Sequence, residues 1–213
     1  MPRKQRLHRH LPHLWLMTDE RLERLLEAIA QLPRGSGIVF RHYRTPGDLR
    51  RQLLAQVQAA ARRGGHLLLV AEPPAGLAVP ALHLPSRSLR RRPIRRVRLV
   101  SAAVHDSREI ARARKAGAGL LFLSPLRETR SHPGARHLGP FRFAALARTA
   151  GLPVIALGGV GPADLAGCRR LGAHGVAGIS CFAVPQGRAA VRRRARLRHK
   201  PLPLPCWAQE AWG

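Results

Sequence analysis

This chain is poor in cysteine, aromatic residues, lysine and acidic side chains, and it has no long apolar run. Each shortage removes a class of protein. The three cysteines, Cys168, Cys181 and Cys206, are too widely spaced for a zinc motif and odd in number. They read as idle thiols in a reducing cytoplasm. Aromatics make up 4% of the residues, too few for an obvious base-stacking platform. No apolar run approaches the roughly 20 residues of a membrane span. The basic start MPRKQRLHRH leads into no long apolar region, and His13 interrupts the short one after it, which argues against a secretory signal.

Acidic residues number 11 against 38 lysines and arginines, for a formal charge of +27. Such an excess invites a nucleic-acid or acidic partner. Its composition points elsewhere. Only Lys4, Lys115 and Lys200 are lysines, and Ala, Gly and Pro are abundant. Coding bias in a GC-rich genome yields the same skew, and that reading is favoured over dedicated nucleic-acid binding. At 213 residues and 45% hydrophobic, the chain suits one domain with a full core.

The informative stretch is Leu152–Cys181, LPVIALGGVGPADLAGCRRLGAHGVAGISC. It reads as strand, glycine turn, helix, strand, with Pro162 in the first turn of a helix over Ala163–Leu171. Gly159 permits close approach to the backbone, and amides just past a strand can point at an anion. Six earlier apolar runs precede this unit. Strands are predicted at Leu14–Met17, Ile38–Phe40, Leu67–Val70, Ala81–Leu84, Leu99–Ala102, Leu120–Leu123, Val154–Leu157 and Val176–Ile179. Helical patterns fill most gaps: Arg21–Leu32, Pro46–Arg63 capped by Thr45 and stopped by Gly64-Gly65, Ser107–Ala116 stopped by Gly117, and Pro140–Ala150. Apolar strands alternating with amphipathic helices imply a parallel sheet covered by helices. Eight units with glycine turns late in the chain favour a closed (β/α)8 barrel over an open doubly wound sheet. In such barrels the loops after strands seven and eight are the usual phosphate site. The barrel should occupy 14–186, between a basic arm at 1–13 and a basic, Pro-rich tail at 187–213.

Several segments taken in order, WLMTD (Trp15–Asp19), IVFRHYR, LSPLRETRSHPG, LPVIALGGV and GAHGVAGIS, resemble thiamine phosphate synthase and its thiazole tautomerase relatives. The resemblance covers roughly Leu14 to Phe182. It implies a barrel of thiamine biosynthesis, located in the cytoplasm. Such a protein binds a small phosphorylated thiazole and joins it to an aminopyrimidine diphosphate, releasing diphosphate with magnesium as helper. Alternatives are a relative that binds or isomerises the thiazole phosphate without joining it, and a non-catalytic barrel that binds nucleic acid or an acidic partner through its arginines. By this resemblance Gly158, Gly159, Ile179 and Ser180 form the phosphate cup. Thr129 and Ser131 stand at the hydroxyl positions of the strand-six loop, His132 at a lysine position, and Ser101 at the strand-five serine. Arg41 is retained from a strand-two trio of glutamine, arginine and lysine; Val39 and Tyr43 replace the other two. Glu72 is the acid placed for magnesium, with Asp19 and Glu128 as helpers, while Ser88 stands where an aspartate would. The tautomerase histidine falls near Pro125, so His132 or His105 would have to substitute.

Each residue also has a plainer reading. Arg41 can be a rim residue, Glu72 can pair with an arginine, and His132 can be a turn residue before Pro133. Thr129 and Ser131 can be ordinary loop hydroxyls. His42, His83 and His174 lack metal-ligand spacing and read as structural or surface residues. The seven arginines within Arg87–Arg98 either bind RNA or form a solvated face.

Overall fold

The computed structural model describes residues 10–89, 97–129, 134 and 136–182. Eight parallel strands close into a barrel: β1 (Leu14–Met17), β2 (Gly37–Phe40), β3 (Leu67–Ala71), β4 (Ala81–Leu84), β5 (Leu99–Val104), β6 (Leu120–Leu123), β7 (Val154–Leu157) and β8 (Gly175–Gly178). Closure is the pairing of β8 with β1, with Leu16 beside Gly178. Helices α1 (Leu25–Ala30), α2 (Gly47–Gly64), α3 (Ser107–Lys115), α4 (Gly139–Thr149) and α5 (Leu165–Arg170) lie between strands. Among the described residues no helix is long and apolar enough to cross a membrane. The tail beyond 182 and most of the N-terminal arm lie outside the described residues.

Alternate strand residues face two different cores. Inward-pointing Trp15, Val39, Leu69, Phe122 and Ile155 fill the barrel. Trp15 meets Phe122 edge-on, with ring centroids 5.2 Å apart. Gly37 makes room for it: a Cβ there would lie within 2.1 Å of the indole. Outward-pointing Leu16, Ile38, Phe40, Leu68 and Val70 pack with Leu54, Val57 and Ala61 of α2. Burial on both faces explains why these strands read as unbroken apolar runs.

Three helix expectations are corrected. The first helix starts at Leu25, not Arg21, because Asp19 accepts from both the amide and the guanidinium of Arg21 and holds a turn there. Of the apolar positions expected on one face, Leu22, Leu25, Ile29 and Leu32 are buried, whereas Leu26 is exposed. Thr45 does not cap α2; its N-cap is Pro46, with no side-chain capping bond. The last helix opens with a 3-10 turn, Pro162–Asp164, and the α-helix runs only over Leu165–Arg170. Gly65 ends α2 in the left-handed region, φ 62°, as the glycine pair implies.

One side chain ties α2 to the strand ends. Arg50 is buried, and its guanidinium donates to the carbonyls of His42 (2.8 Å), Glu72 (2.7 Å), Ala71 (2.6 Å) and Arg41 (3.1 Å). Both His42 (φ 34°) and Glu72 (φ 45°) are held in the left-handed region that non-glycine residues avoid. Arg50 also lies over the Phe40 ring, which stacks on His42. Replacing it with methionine removes the donors and leaves buried carbonyls unpaired. Arg50→Met should therefore lower stability by about 3 kcal/mol. Urea unfolding checks this, and a loss well under ~1 kcal/mol would show that the clamp is unimportant.

Candidate active site

A cavity of 1660 Å³ opens over the C-terminal ends of the strands. Its strand residues are Met17, His83, Ala103, Leu157, Ala177 and Gly178, so the floor is apolar apart from one imidazole. Burial first, and then the nearby Arg41 cation, push the His83 pKa down to about 3. Its Nδ1 is 2.9 Å from the Ser101 hydroxyl. Ser101 is fully buried below the mouth, and Ala103, two residues further along β5, takes the wall position.

On one side the ends of β6, β7 and β8 meet. Gly158 (φ 94°) and Gly159 (φ 66°) follow β7 and line the cavity. The closest approach to them is made by the chain itself. A Cβ on Gly158 would meet Pro125 at 2.7 Å, and one on Gly159 would meet the Glu128 carbonyl at 2.5 Å. The β6 turn bonds to the same segment, Leu126 N–H to the Leu157 carbonyl and Arg127 N–H to that of Gly158. Arg127 further pairs with Asp164, at 2.8 Å. Ile179 faces the cavity, and Ser180 opens the 3-10 turn Ser180–Phe182. Thr129 lines the same side. Ser131 and His132 lie outside the described residues.

His105, at the end of β5, lines the mouth beside the β6 turn. Its Nδ1–H donates to the Ser124 carbonyl at 2.8 Å, because a carbonyl can only accept. In the neutral ring this leaves Nε2 as the acceptor.

The opposite side is built on β1 to β4. Val39 is buried in the barrel core, Arg41 enters the cavity, and Tyr43 stands at the rim. Arg41 donates from Nε to the Thr18 carbonyl (2.9 Å) and reaches Asp19 at 3.4 Å. The hydrogen bonds from Arg21 hold the Asp19 carboxyl down to about 2, against a smaller opposing effect of burial. Glu72 binds Arg87 at 2.8 Å, and that guanidinium lies 4.7 Å over the Tyr43 ring. Ser88 is buried in the turn after β4. Magnesium takes oxygen ligands in octahedral geometry, usually including one or two carboxylates. Here the Glu72 and Asp19 carboxylates are engaged by guanidinium groups. Among the described residues, no three acidic, histidine or cysteine side chains are grouped to hold an ion. The described donor set does not fit magnesium.

A family model described as "Thiamine monophosphate synthase" matches residues 14–182. The chain belongs to this family. Among sequence relatives, the Aquifex aeolicus protein named "Putative thiamine-phosphate synthase 2" is 33% identical over 182 residues, covering 81% of this chain and 98% of that one. "Thiamine biosynthesis bifunctional protein ThiM/ThiE" of Symbiobacterium thermophilum is 34% identical over 180 residues, 80% of this chain but 36% of that longer protein. The solved thiamine phosphate pyrophosphorylase of Pyrococcus furiosus superposes with a TM-score of 0.69 at 21% identity, covering 97% and 100% of the two chains, a likeness of fold. In this barrel, the sequence-predicted residues Arg41, Thr129, Gly158, Gly159 and Ile179 come together on one cavity. Glu72 and Ser101 do not line it. Sequence reasoning missed the roles of Arg50, Arg87 and His83. A buried arginine on a helix facing strand ends is a detectable oddity only once the helical face is known. Arg87 was hidden in a run of arginines.

Two outcomes are expected. Gly159→Ala should destabilise the ligand-free protein by about 2 kcal/mol, because the left-handed backbone and the Glu128 carbonyl both oppose a Cβ. An unchanged thermal midpoint would show that the β6 turn yields. Acid should also weaken the fold in two stages. His66 and His83 have pKa values lowered by burial from 6.5 to about 4 and about 3. Below pH 6.5 the unfolded chain takes up protons that the fold refuses, so stability falls as pH drops through that window. Asp19, depressed from 3.8 to about 2, adds a further loss below pH 3.8. Urea midpoints should fall from pH 7 to pH ~4.5, less steeply in His66→Leu; a flat or rising profile contradicts the assignment.

Proposed function

We propose that this protein binds a phosphorylated thiazole at the β6–β8 side of its cavity and joins it to an aminopyrimidine diphosphate held on the Arg41 side. The observation that carries the reading is one open cavity with two unlike halves. Backbone turns after β7 and β8, with Thr129, form one half; guanidinium groups around Tyr43 form the other. Fixed amides suit a phosphate monoester, because they need no reorganisation on binding. Guanidinium groups suit the more highly charged diphosphate. In the joining step the thiazole nitrogen would bond to the pyrimidine methylene carbon as its bond to the diphosphate oxygen breaks, so that diphosphate leaves with the electron pair. Arginine beside the departing oxygens stabilises the charge that develops there. Family membership supports the substrate class.

Isomerisation of the thiazole phosphate is a second reading, favoured by His105. Anchored through Nδ1 to Ser124, this ring presents Nε2 as a fixed proton acceptor at the mouth. The readings separate by product. Purified full-length protein is incubated with thiazole phosphate alone, and with aminopyrimidine diphosphate added. Thiamine phosphate and diphosphate in equal amounts support joining. Proton exchange or rearrangement of thiazole phosphate alone, lost at least about 100-fold in His105→Gln, supports isomerisation. If calorimetry detects no binding of thiazole phosphate, both readings fail.

A further inference from the structure

We infer that the diphosphate end of this cavity works without a metal, with the Arg87 guanidinium on Glu72 standing where a divalent cation would be needed. The inference deepens the proposed function and rests on it for the identity of the natural ligand.

At the ends of β1 to β4, charge is arranged around Glu72. Glu72 follows β3 in a left-handed conformation, and Arg50 holds its carbonyl. This turns the carboxylate toward the segment after β4, where Arg87 occupies the 3-10 turn Ser86–Ser88. Their contact is a hydrogen-bonded ion pair of 2.8 Å. Arg87 also has the face of Tyr43 against it, 4.7 Å from guanidinium carbon to ring centroid. An aromatic face and a carboxylate together orient a planar guanidinium, which has five N–H donors; Glu72 uses few of them. Arg87 and Tyr43 both line the cavity, as does Arg41. Arg41 is itself fixed, by the Thr18 carbonyl and Asp19. Both cations act on the Tyr43 hydroxyl, whose pKa burial nevertheless raises, so the phenol stays protonated and able to donate.

Magnesium performs two tasks for a diphosphate: it neutralises charge and bridges oxygens in a set geometry. Around this corner four guanidiniums, Arg21, Arg41, Arg50 and Arg87, face three carboxylates, Asp19, Glu20 and Glu72. The corner is cationic before any ion is added. Arg87 and Arg41 reach the cavity from different strand ends, and their remaining N–H donors would take over the bridging of diphosphate oxygens. A metal would have to displace Arg87 from Glu72 and then share the corner with these guanidinium charges. Arginine is always protonated, so the arrangement is ready at any physiological pH.

The test is a calorimetric titration of the full chain with inorganic diphosphate, first in EDTA and then with millimolar magnesium. Binding should occur in EDTA, and magnesium should leave it equal or weaken it by sequestering the ligand. Arg87→Gln should weaken binding about tenfold or more, the loss of one charge-assisted contact. Because Arg87 is exposed, this variant should keep its thermal midpoint. Arg112→Gln, an exposed residue on α3, removes the same charge elsewhere and should change affinity by less than about twofold, which separates the site from general attraction by a basic protein. Diphosphate binding that requires magnesium overturns the inference, as does an equal loss in the two variants or no binding in EDTA. The two ideas fail separately. Thiamine phosphate formation that depends on magnesium sinks only the metal-free site. Metal-free binding through Arg87 without thiamine phosphate formation sinks only the joining reaction.

Discussion

The grip of Arg50 on the ends of β2 and β3 underlies one whole side of the cavity. Four backbone carbonyls from His42, Glu72, Ala71 and Arg41 converge on one buried guanidinium. No carboxylate is among these partners. A buried cation is tolerated only where its donors are satisfied, and backbone carbonyls at the strand ends are strong acceptors. The two needs answer each other. They also stabilise positive φ at His42 and Glu72, conformations that neither side chain favours. From those two kinks Arg41, Tyr43 and Glu72 take their directions, and Arg87 follows Glu72.

The other side is stiffened differently. There the β6 turn lies directly on the glycine pair after β7, with backbone bonds from Leu126 and Arg127 and an ion pair from Arg127 to Asp164. The same loop packing brings Thr129 to the cavity and Ser124 under His105. Glycine is required at 158 and 159 by this contact whether or not a ligand is bound. A rigid floor of Met17, His83, Ala103, Leu157 and Ala177 joins the halves. The cavity is therefore a hollow between two independently braced walls.

Charge is distributed with the same division. Apart from the buried Arg50, arginines of α2, α3 and α5 sit on outer helix faces, as coding bias alone would leave them, with Arg62, Arg63, Arg112, Arg114 and Arg169 as examples. A second set, including Arg21, Arg41, Arg87 and Arg127, lines the mouth, and each of these four is paired with an acid. Thus the scarce acids near the mouth orient guanidinium groups. In a chain with few carboxylates, cations are the abundant tool, and the site uses them.

Sequence alone determined the barrel. Eight apolar runs, their order and nearly all their limits are legible because period and burial on both faces are local properties of each segment. The glycine turn after β7 was legible too, since glycine at a strand end carries its conformational meaning with it. Tertiary structure alone decided the rest. Arg50 lies only eight residues from His42 but meets Glu72 and Ala71 through a helix packed across two strands. Arg87 reaches Glu72 and Tyr43 from a different loop altogether. Which of many arginines gains a carboxylate, a ring or a carbonyl depends on where strand tilt and loop direction bring long side chains together. A guanidinium on a flexible stem has the same local signature at every position, so its role appears only in the company it keeps.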